Sequence, residues 1–373
     1  MPFADELLGR DVAASLLEHV ALTRPGHEWP ALSQAVDALD GLSLRERSDA
    51  LRDALLADGP PAYSEFASLI RDAYARDEGF AGWLLWPVTN AVAHRAVSES
   101  PGAVNSAAFD DALDVLAMLT GRLTSEFAIR VLLLHDWERA LRVVEGWTTS
   151  PDHHVRRLAS EGTRPFLPWG VRIPALVERP TATLPVLDAL YRDESEYVRR
   201  SVANHLNDVS RHHEDVVLDT ARRWLAAPAP TTDALVRHAL RTLVKRGHPQ
   251  ALELVGFPHV PAIEVENLSV AVTRVVVGEV LPFSAVLRNR GDVDARVRVD
   301  YVVFHRKANG SLTRKTFAIG VRDVLAGASV RVSKSHSFKP ITTRRYHAGE
   351  HRIALQVNGV LTDPVMFDLV LND

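Results

Sequence analysis

Glu194-Ser195-Glu196-Tyr197-Val198-Arg199-Arg200-Ser201-Val202-Ala203-Asn204-His205-Leu206-Asn207-Asp208 is the stretch that organises this chain of 373 residues. Val198, Val202, Leu206 and then Val209 recur at steps of three and four, which places them on one face of a helix. Arg200, Asn204 and Asp208 recur every fourth residue and fall on another face. The first stripe predicts packing. The second, flanked by Arg199 and His205, lines up a cation, an amide and a carboxylate, which predicts a surface that meets a partner.

The same grammar recurs along the chain. Asp152-His153-His154-Val155-Arg156-Arg157 is echoed by Ser195-Glu196-Tyr197-Val198-Arg199-Arg200 and again by Asp233-Ala234-Leu235-Val236-Arg237-His238. Ser125-Glu126-Phe127-Ala128-Ile129-Arg130 is a fainter copy. The interval is roughly 40 residues, the period of HEAT-type helix pairs. Stacked units of this kind align equivalent helices on one wall, so residues distant in sequence become neighbours there.

Near Gly256-Phe257-Pro258 the texture changes. Before it the apolar spacing is helical, with breaks at Pro25-Gly26, Gly59-Pro60-Pro61, Pro101-Gly102 and a series of later prolines. After it, Leu268 to Thr273, Val280 to Leu287, Ala295 to Phe304, Thr313 to Ile319, Ser329 to Phe338, Glu350 to Val357 and Val365 to Leu371 read as short β-branched strands. Turn signals such as Asn309-Gly310 separate them. The expected architecture is mainly α: a HEAT-like helical-repeat solenoid over 1–257, followed by an all-β immunoglobulin-like sandwich over 258–373. Tyr346 stands where a tyrosine corner would bond back to the backbone, although any tyrosine buried at a loop would read alike.

Composition narrows the chemistry. With no cysteine there is no disulfide, no thiolate zinc site and no thiol nucleophile. A formal charge of −4, from 43 basic and 47 acidic residues, excludes no partner by itself. No apolar run is long enough to span a bilayer and the N-terminus lacks a signal-peptide pattern, so a cytoplasmic protein without a membrane partner is expected. His153-His154 and His212-His213 lack metal-binding spacing, and adjacent side chains are expected to point apart, so no metal and no cofactor is expected.

On the shared wall the repeats place Arg130, Arg157, Arg164, Arg200, Asn204, Arg237 and Lys245, the expected DNA-binding set, interrupted by Glu126, Glu161 and Asp208. Clustered arginine and lysine are the footprint of a polyanion, whose counterions are released on binding. Acids in such a trough weaken binding unless a positive charge develops beside them. Each residue also has an ordinary reading. Arg157 and Glu161 at i, i+4 would be a solvated pair worth a few tenths of a kcal/mol, Trp169 a packing residue of a loop, and Trp83-Leu84-Leu85-Trp86 buried helix.

Ser201 to Asp208 (Ser-Val-Ala-Asn-His-Leu-Asn-Asp), Ser125 to Arg130, and Ala159 to Trp169 with its Leu167-Pro168-Trp169 together resemble the AlkC/AlkD DNA alkylation-repair glycosylases, more closely AlkC with a C-terminal immunoglobulin-like domain. Val131 stands where the family pattern has proline. The resemblance implies excision of positively charged N3-methylated bases, 3-methyladenine above all, from double-stranded DNA without base flipping. It assigns Asp208 as the catalytic aspartate, Glu126 and Glu161 as acids near the lesion, and Trp169 as the aromatic residue of the same site. A monomer with no obligatory protein partner is expected. The β domain is expected to add a DNA-backbone contact through Arg344-Arg345 and Lys334-Ser335-His336. The alternative is a HEAT-repeat scaffold that binds DNA or an acidic protein and frees no base.

Overall fold

The computed structural model describes residues 2–99, 107–342 and 344–371; the break expected at Pro101-Gly102 lies outside them. The helical part runs α1 (Pro2–Leu7), α2 (Arg10–Thr23), α3 (Pro30–Asp37), α4 (Leu44–Asp58), α5 (Tyr63–Arg76), α6 (Leu85–Ser98), α7 (Ala107–Leu119), α8 (Ile129–His135), α9 (Trp137–Trp147), α10 (His153–Glu161), α11 (Pro174–Glu178), α12 (Leu184–Leu190), α13 (Glu196–Val209), α14 (Glu214–Ala226), α15 (Thr232–Ala239), α16 (Arg241–Arg246) and α17 (Pro249–Leu254). Local chemistry sets the ends. Asp152 accepts from His154 N at 2.7 Å and so caps α10, and Ser43 and Glu46 form a capping box before α4. The repeat spacing is realised as packing of α10 on α13 and of α13 on α15. Val198, Val202, Leu206 and Val209 are all buried, as their spacing predicts.

By its contacts the chain forms two compact units. One comprises 1–217 with 228–239, the other 218–227 with 240–373. Within the second unit α16 and α17 lie against the sandwich: Arg314 Nη2 donates to the Arg246 carbonyl at 3.4 Å, and Asn358 Nδ2 donates to the Pro258 carbonyl at 2.6 Å. Gly247 and Gly359 face each other so closely that a Cβ added at Gly359 would stand 2.6 Å from the Gly247 carbonyl oxygen, and both have left-handed φ. Only glycine fits at that crossing.

The β part holds β1 (Ile263–Val270), β2 (Arg274–Val276), β3 (Val280–Asn289), β4 (Ala295–Arg306), β5 (Leu312–Val324), β6 (Ser329–Ser337), β7 (Gly349–Val357), β8 (Val360–Leu361) and β9 (Val365–Val370). One sheet is ordered β1-β3-β6; the other is β2-β9-β7-β4-β5, with β8 paired to β7. The inward residues of both sheets, among them Leu281, Val299, Ile353 and Leu369, make one core, so the immunoglobulin-like sandwich is as expected. Two details differ. The first strand begins at Ile263, before the apolar run at Leu268, because its alternation is interrupted by an irregularity between Glu266 and Ser269, where Asn267 takes a φ of 55°. Tyr346 shows no corner: among the described residues its hydroxyl makes no hydrogen bond to the backbone, and its ring packs against His305 and Phe338.

Three histidines sit inside this sandwich. His305, His336 and His351 are buried, and each has one ring nitrogen without a partner. Burial pushes His305 down to about 3 and His336 to about 4, and lowers His351 as well. The expected contact surface is therefore smaller than the sequence suggests. His336 turns inward against Tyr301, and Arg344 donates to His305 Nε2 at 3.0 Å, leaving Lys334 and Arg345 exposed. An acid lability follows. The unfolded chain protonates these histidines below about 6.5 while the folded state resists, so stability is intact at neutral pH and falls as pH drops toward the folded values. At pH 5 each strongly lowered histidine is expected to cost about 2 kcal/mol relative to pH 8. Denaturant titrations at the two pH values check it; equal midpoints contradict it.

Candidate active site

Glu126, Glu161 and Asp208 come from three successive repeats and converge. Arg157 Nη1 donates to Glu126, and Arg157 Nη2 lies 3.5 Å from Glu161. Arg164 Nη1 donates to Glu161 Oε1 at 2.6 Å while its Nε donates to Asp208 Oδ2 at 2.8 Å. The result is one chain of alternating charge, Glu126, Arg157, Glu161, Arg164, Asp208, with the Glu161, Arg164 and Asp208 side chains buried and Glu126 partly open. The helices set this up. Glu161 ends α10 and Asp208 lies in the last turn of α13, and the packing of α10 on α13 brings those two ends together.

Side chains that the spacing did not single out complete the chain. The Ser201 hydroxyl donates to Glu161 Oε2 at 2.7 Å. The Thr124 hydroxyl donates to Glu126 Oε2 at 2.9 Å and accepts from Arg157 Nη1 at 2.8 Å. The Tyr197 ring lies 5.1 Å under the Arg157 guanidinium. Ser201 stands seven residues before Asp208, two helical turns up the same helix, which is the one signal that would have found it.

The carboxylates are electrostatically unlike. Burial pushes Glu161 upward, but Arg157, Arg164 and the Ser201 hydroxyl outweigh it and hold the carboxyl below its ordinary range. At Asp208 burial wins over Arg164, and the carboxyl rises above its ordinary value. Arg211 stands farther off, 3.9 Å from Asp208 Oδ1. Glu161 and Asp208, bridged by one arginine, are thus shifted in opposite directions.

Trp169 projects from the loop after α10, two-thirds exposed, with a φ of 63°. That left-handed backbone costs a bulky residue on the order of 1 kcal/mol or more and persists only if the surroundings enforce it. Arg130 does so from below: its Nη1 donates to the Gly162 and Arg164 carbonyls at 3.0 and 2.9 Å, and its Nε to the Val171 carbonyl. A Cβ on Gly170 would stand 3.1 Å from Arg130 Cδ. From the other side Arg45, on α4, donates to the Trp169 carbonyl.

The polar residues named from spacing therefore separate by depth. Arg130 is wholly buried and Arg164 nearly so, both committed to internal acceptors. His205, which the helical row placed on the contact face, is also wholly buried, between the Ser160 carbonyl and the Thr183 hydroxyl; burial pushes it down to about 4. Arg200, Arg237 and Lys245 are exposed and Asn204 is half-buried, its Oδ1 2.9 Å from His238 Nε2. His153 and His154 do not point apart. Their rings approach to 4.1 Å, and with Asp152 they bring three potential ligand atoms within 4.8 Å. Both rings turn toward Tyr197, and the positive end of α10 opposes a cation there.

Helical repeats ending in carboxylates bridged by arginine are followed by a small sandwich, and comparison with known proteins bears on this arrangement directly. Residues 122–245 match the family "DNA alkylation repair enzyme", and residues 264–371 match the C-terminal Ig-like domain of YhaZ. The uncharacterized protein YhaZ of Bacillus subtilis (strain 168) is 34% identical over 98% of both chains. The DNA-bound alkylpurine DNA glycosylase AlkC of Pseudomonas fluorescens superposes with a TM-score of 0.85 at 30% identity, over 97% of this chain and 98% of that one. The chain belongs to the AlkC/AlkD-type DNA alkylation-repair family, on the AlkC side with an immunoglobulin-like domain. No helix among the described residues is long and apolar enough to cross a membrane.

Proposed function

We propose that this protein is a DNA glycosylase that removes cationic N3-methylated bases, 3-methyladenine foremost, from double-stranded DNA, acting as a cytoplasmic monomer without flipping the nucleotide. The observation that carries the reading is the charge-alternating chain Glu126-Arg157-Glu161-Arg164-Asp208, with the exposed indole of Trp169 on the loop after Arg164 supporting it. A methylated base that already bears positive charge leaves without protonation. The C1′–N bond breaks with its electron pair going to the base, which becomes neutral, and the sugar takes on oxocarbenium character. Water then adds to C1′ and its proton passes to solvent. Asp208 and Glu126 stabilise the sugar cation and orient the water, and Trp169 meets the cation through its π face. The arginines keep three acids from repelling one another and the DNA.

Residues 1–257 carry the reaction and 258–373 assist binding. The direct test is release of 3-methyladenine from methylated duplex DNA. Release supports the reading; DNA binding with no base freed replaces it with a scaffold. Arg200 and Arg237 are exposed, which supports a role in meeting phosphate. Replacing Arg200 with alanine is expected to weaken binding to duplexes of every sequence alike and to reduce the slope of log K against log salt by about 1. An unchanged slope removes Arg200 from the interface.

A further inference from the structure

Lined on one side by Trp169, a recess of about 120 Å³ opens between α4, α6 and the segment from Phe127 to Val131. One wall is aromatic, the Trp86 and Phe127 rings packing on each other with centroids 5.1 Å apart, and the Trp169 loop lines another side. Its polar atoms are not exhausted by the fold. Ser48 is 2% exposed and its hydroxyl has no partner. Asn90 donates its amide to the Trp86 carbonyl at 3.0 Å, which leaves Oδ1 to accept. His94 makes no hydrogen bond among the described residues, and burial lowers it, which favours its neutral form. A buried hydroxyl without a partner is costly unless something else binds it.

We propose that this recess holds the freed purine base, the neutral N-methylated heterocycle that leaves C1′. This rests on the glycosylase reading. Size and charge select the occupant. The recess is below the roughly 300 Å³ at which sites for drug-sized ligands begin, so it takes one heterocycle and not a nucleotide. A phosphate is disfavoured, because the Arg52 guanidinium is already paired with both Asp49 and Asp53 and Asp49 itself lines the space. What is left is an excess of acceptors, Asp49, Asn90 Oδ1 and His94, beside an aromatic wall. That set suits a flat ring carrying an exocyclic amine. Arg45, which donates to the Trp169 carbonyl, stands at the rim.

The test uses the full chain and free 3-methyladenine as the probe. Titration is expected to quench tryptophan fluorescence and to inhibit base release from methylated duplex. Asn90→Leu and, separately, Asp49→Asn are expected to weaken binding of the free base at least tenfold, with thermal unfolding near that of wild type. Unsubstituted purine, which lacks the exocyclic amine, and inorganic phosphate at equal concentration should bind at least tenfold more weakly. If wild type frees 3-methyladenine from DNA yet does not bind it, or if both variants bind it as wild type does, the recess is not a base site while the glycosylase reading stands. If no base is released from DNA but the free base binds as described, the recess stands and the glycosylase reading falls.

Discussion

Asp208→Asn is expected to lower the rate of 3-methyladenine release by about 10²- to 10³-fold while leaving binding to undamaged duplex nearly unchanged. The magnitude is that of removing one preorganised charge from beside a transition state, about 3–4 kcal/mol. Asparagine keeps the shape and still accepts from Arg164 Nε, so the contact now 2.8 Å long survives and the fold is expected to hold. What disappears is the negative charge that, in the proposed mechanism, stabilises the sugar cation. Single-turnover kinetics separates this from a binding defect, since the loss should fall on the chemical step alone. The pH profile adds an independent reading. Burial raises the Asp208 carboxyl, and only the ionised form stabilises a cation, so activity in wild type is lost as pH falls through a value above the ordinary aspartate value of about 3.9. In the asparagine variant the residual activity should lose that limb. A rate within threefold of wild type removes Asp208 from the mechanism.

Arg164→Met is expected to produce the largest loss of stability, about 3–5 kcal/mol, because it leaves Glu161 and Asp208 buried without the cation that bridges them. Both carboxyls should then move upward, Glu161 losing one of the two arginines that hold it low. The measurement is the denaturant midpoint of the helical transition at neutral pH. A second substitution makes the argument specific: Arg164→Met combined with Asp208→Leu should recover part of the loss, since removing both partners of a buried pair costs less than removing one. A single-variant loss under about 1 kcal/mol, or strict additivity in the pair, would show that the alternating chain does not hold the site together.

Position on a face was readable from the sequence and depth was not. Val198, Val202 and Leu206 were assigned to packing and are buried, because period alone decides which side of a helix is apolar. The row Arg200, Asn204, Asp208 was assigned to a surface, yet only its first member is exposed: the row runs along α13 from an open end into the interior, where Asp208 is 2% exposed. Arg157 and Glu161 had the spacing of a solvated pair and instead share a buried network with Arg164, because another helix end closes over them. His205 and Arg130 sank for the same reason.

What the sequence by itself determined is the helical repeat, the change to strands near Phe257, and the acids that the family resemblance names. Each is a property of periodicity, turn chemistry or local motif, which act over a few residues. Only the tertiary structure decided that Arg130 and Arg164 are internal ties, that Ser201 and Thr124 serve the carboxylates, and that Arg45 reaches the Trp169 carbonyl across 124 residues. No local pattern encodes such contacts, because burial is set by what packs on top of a side chain, and that partner is supplied by a distant part of the chain.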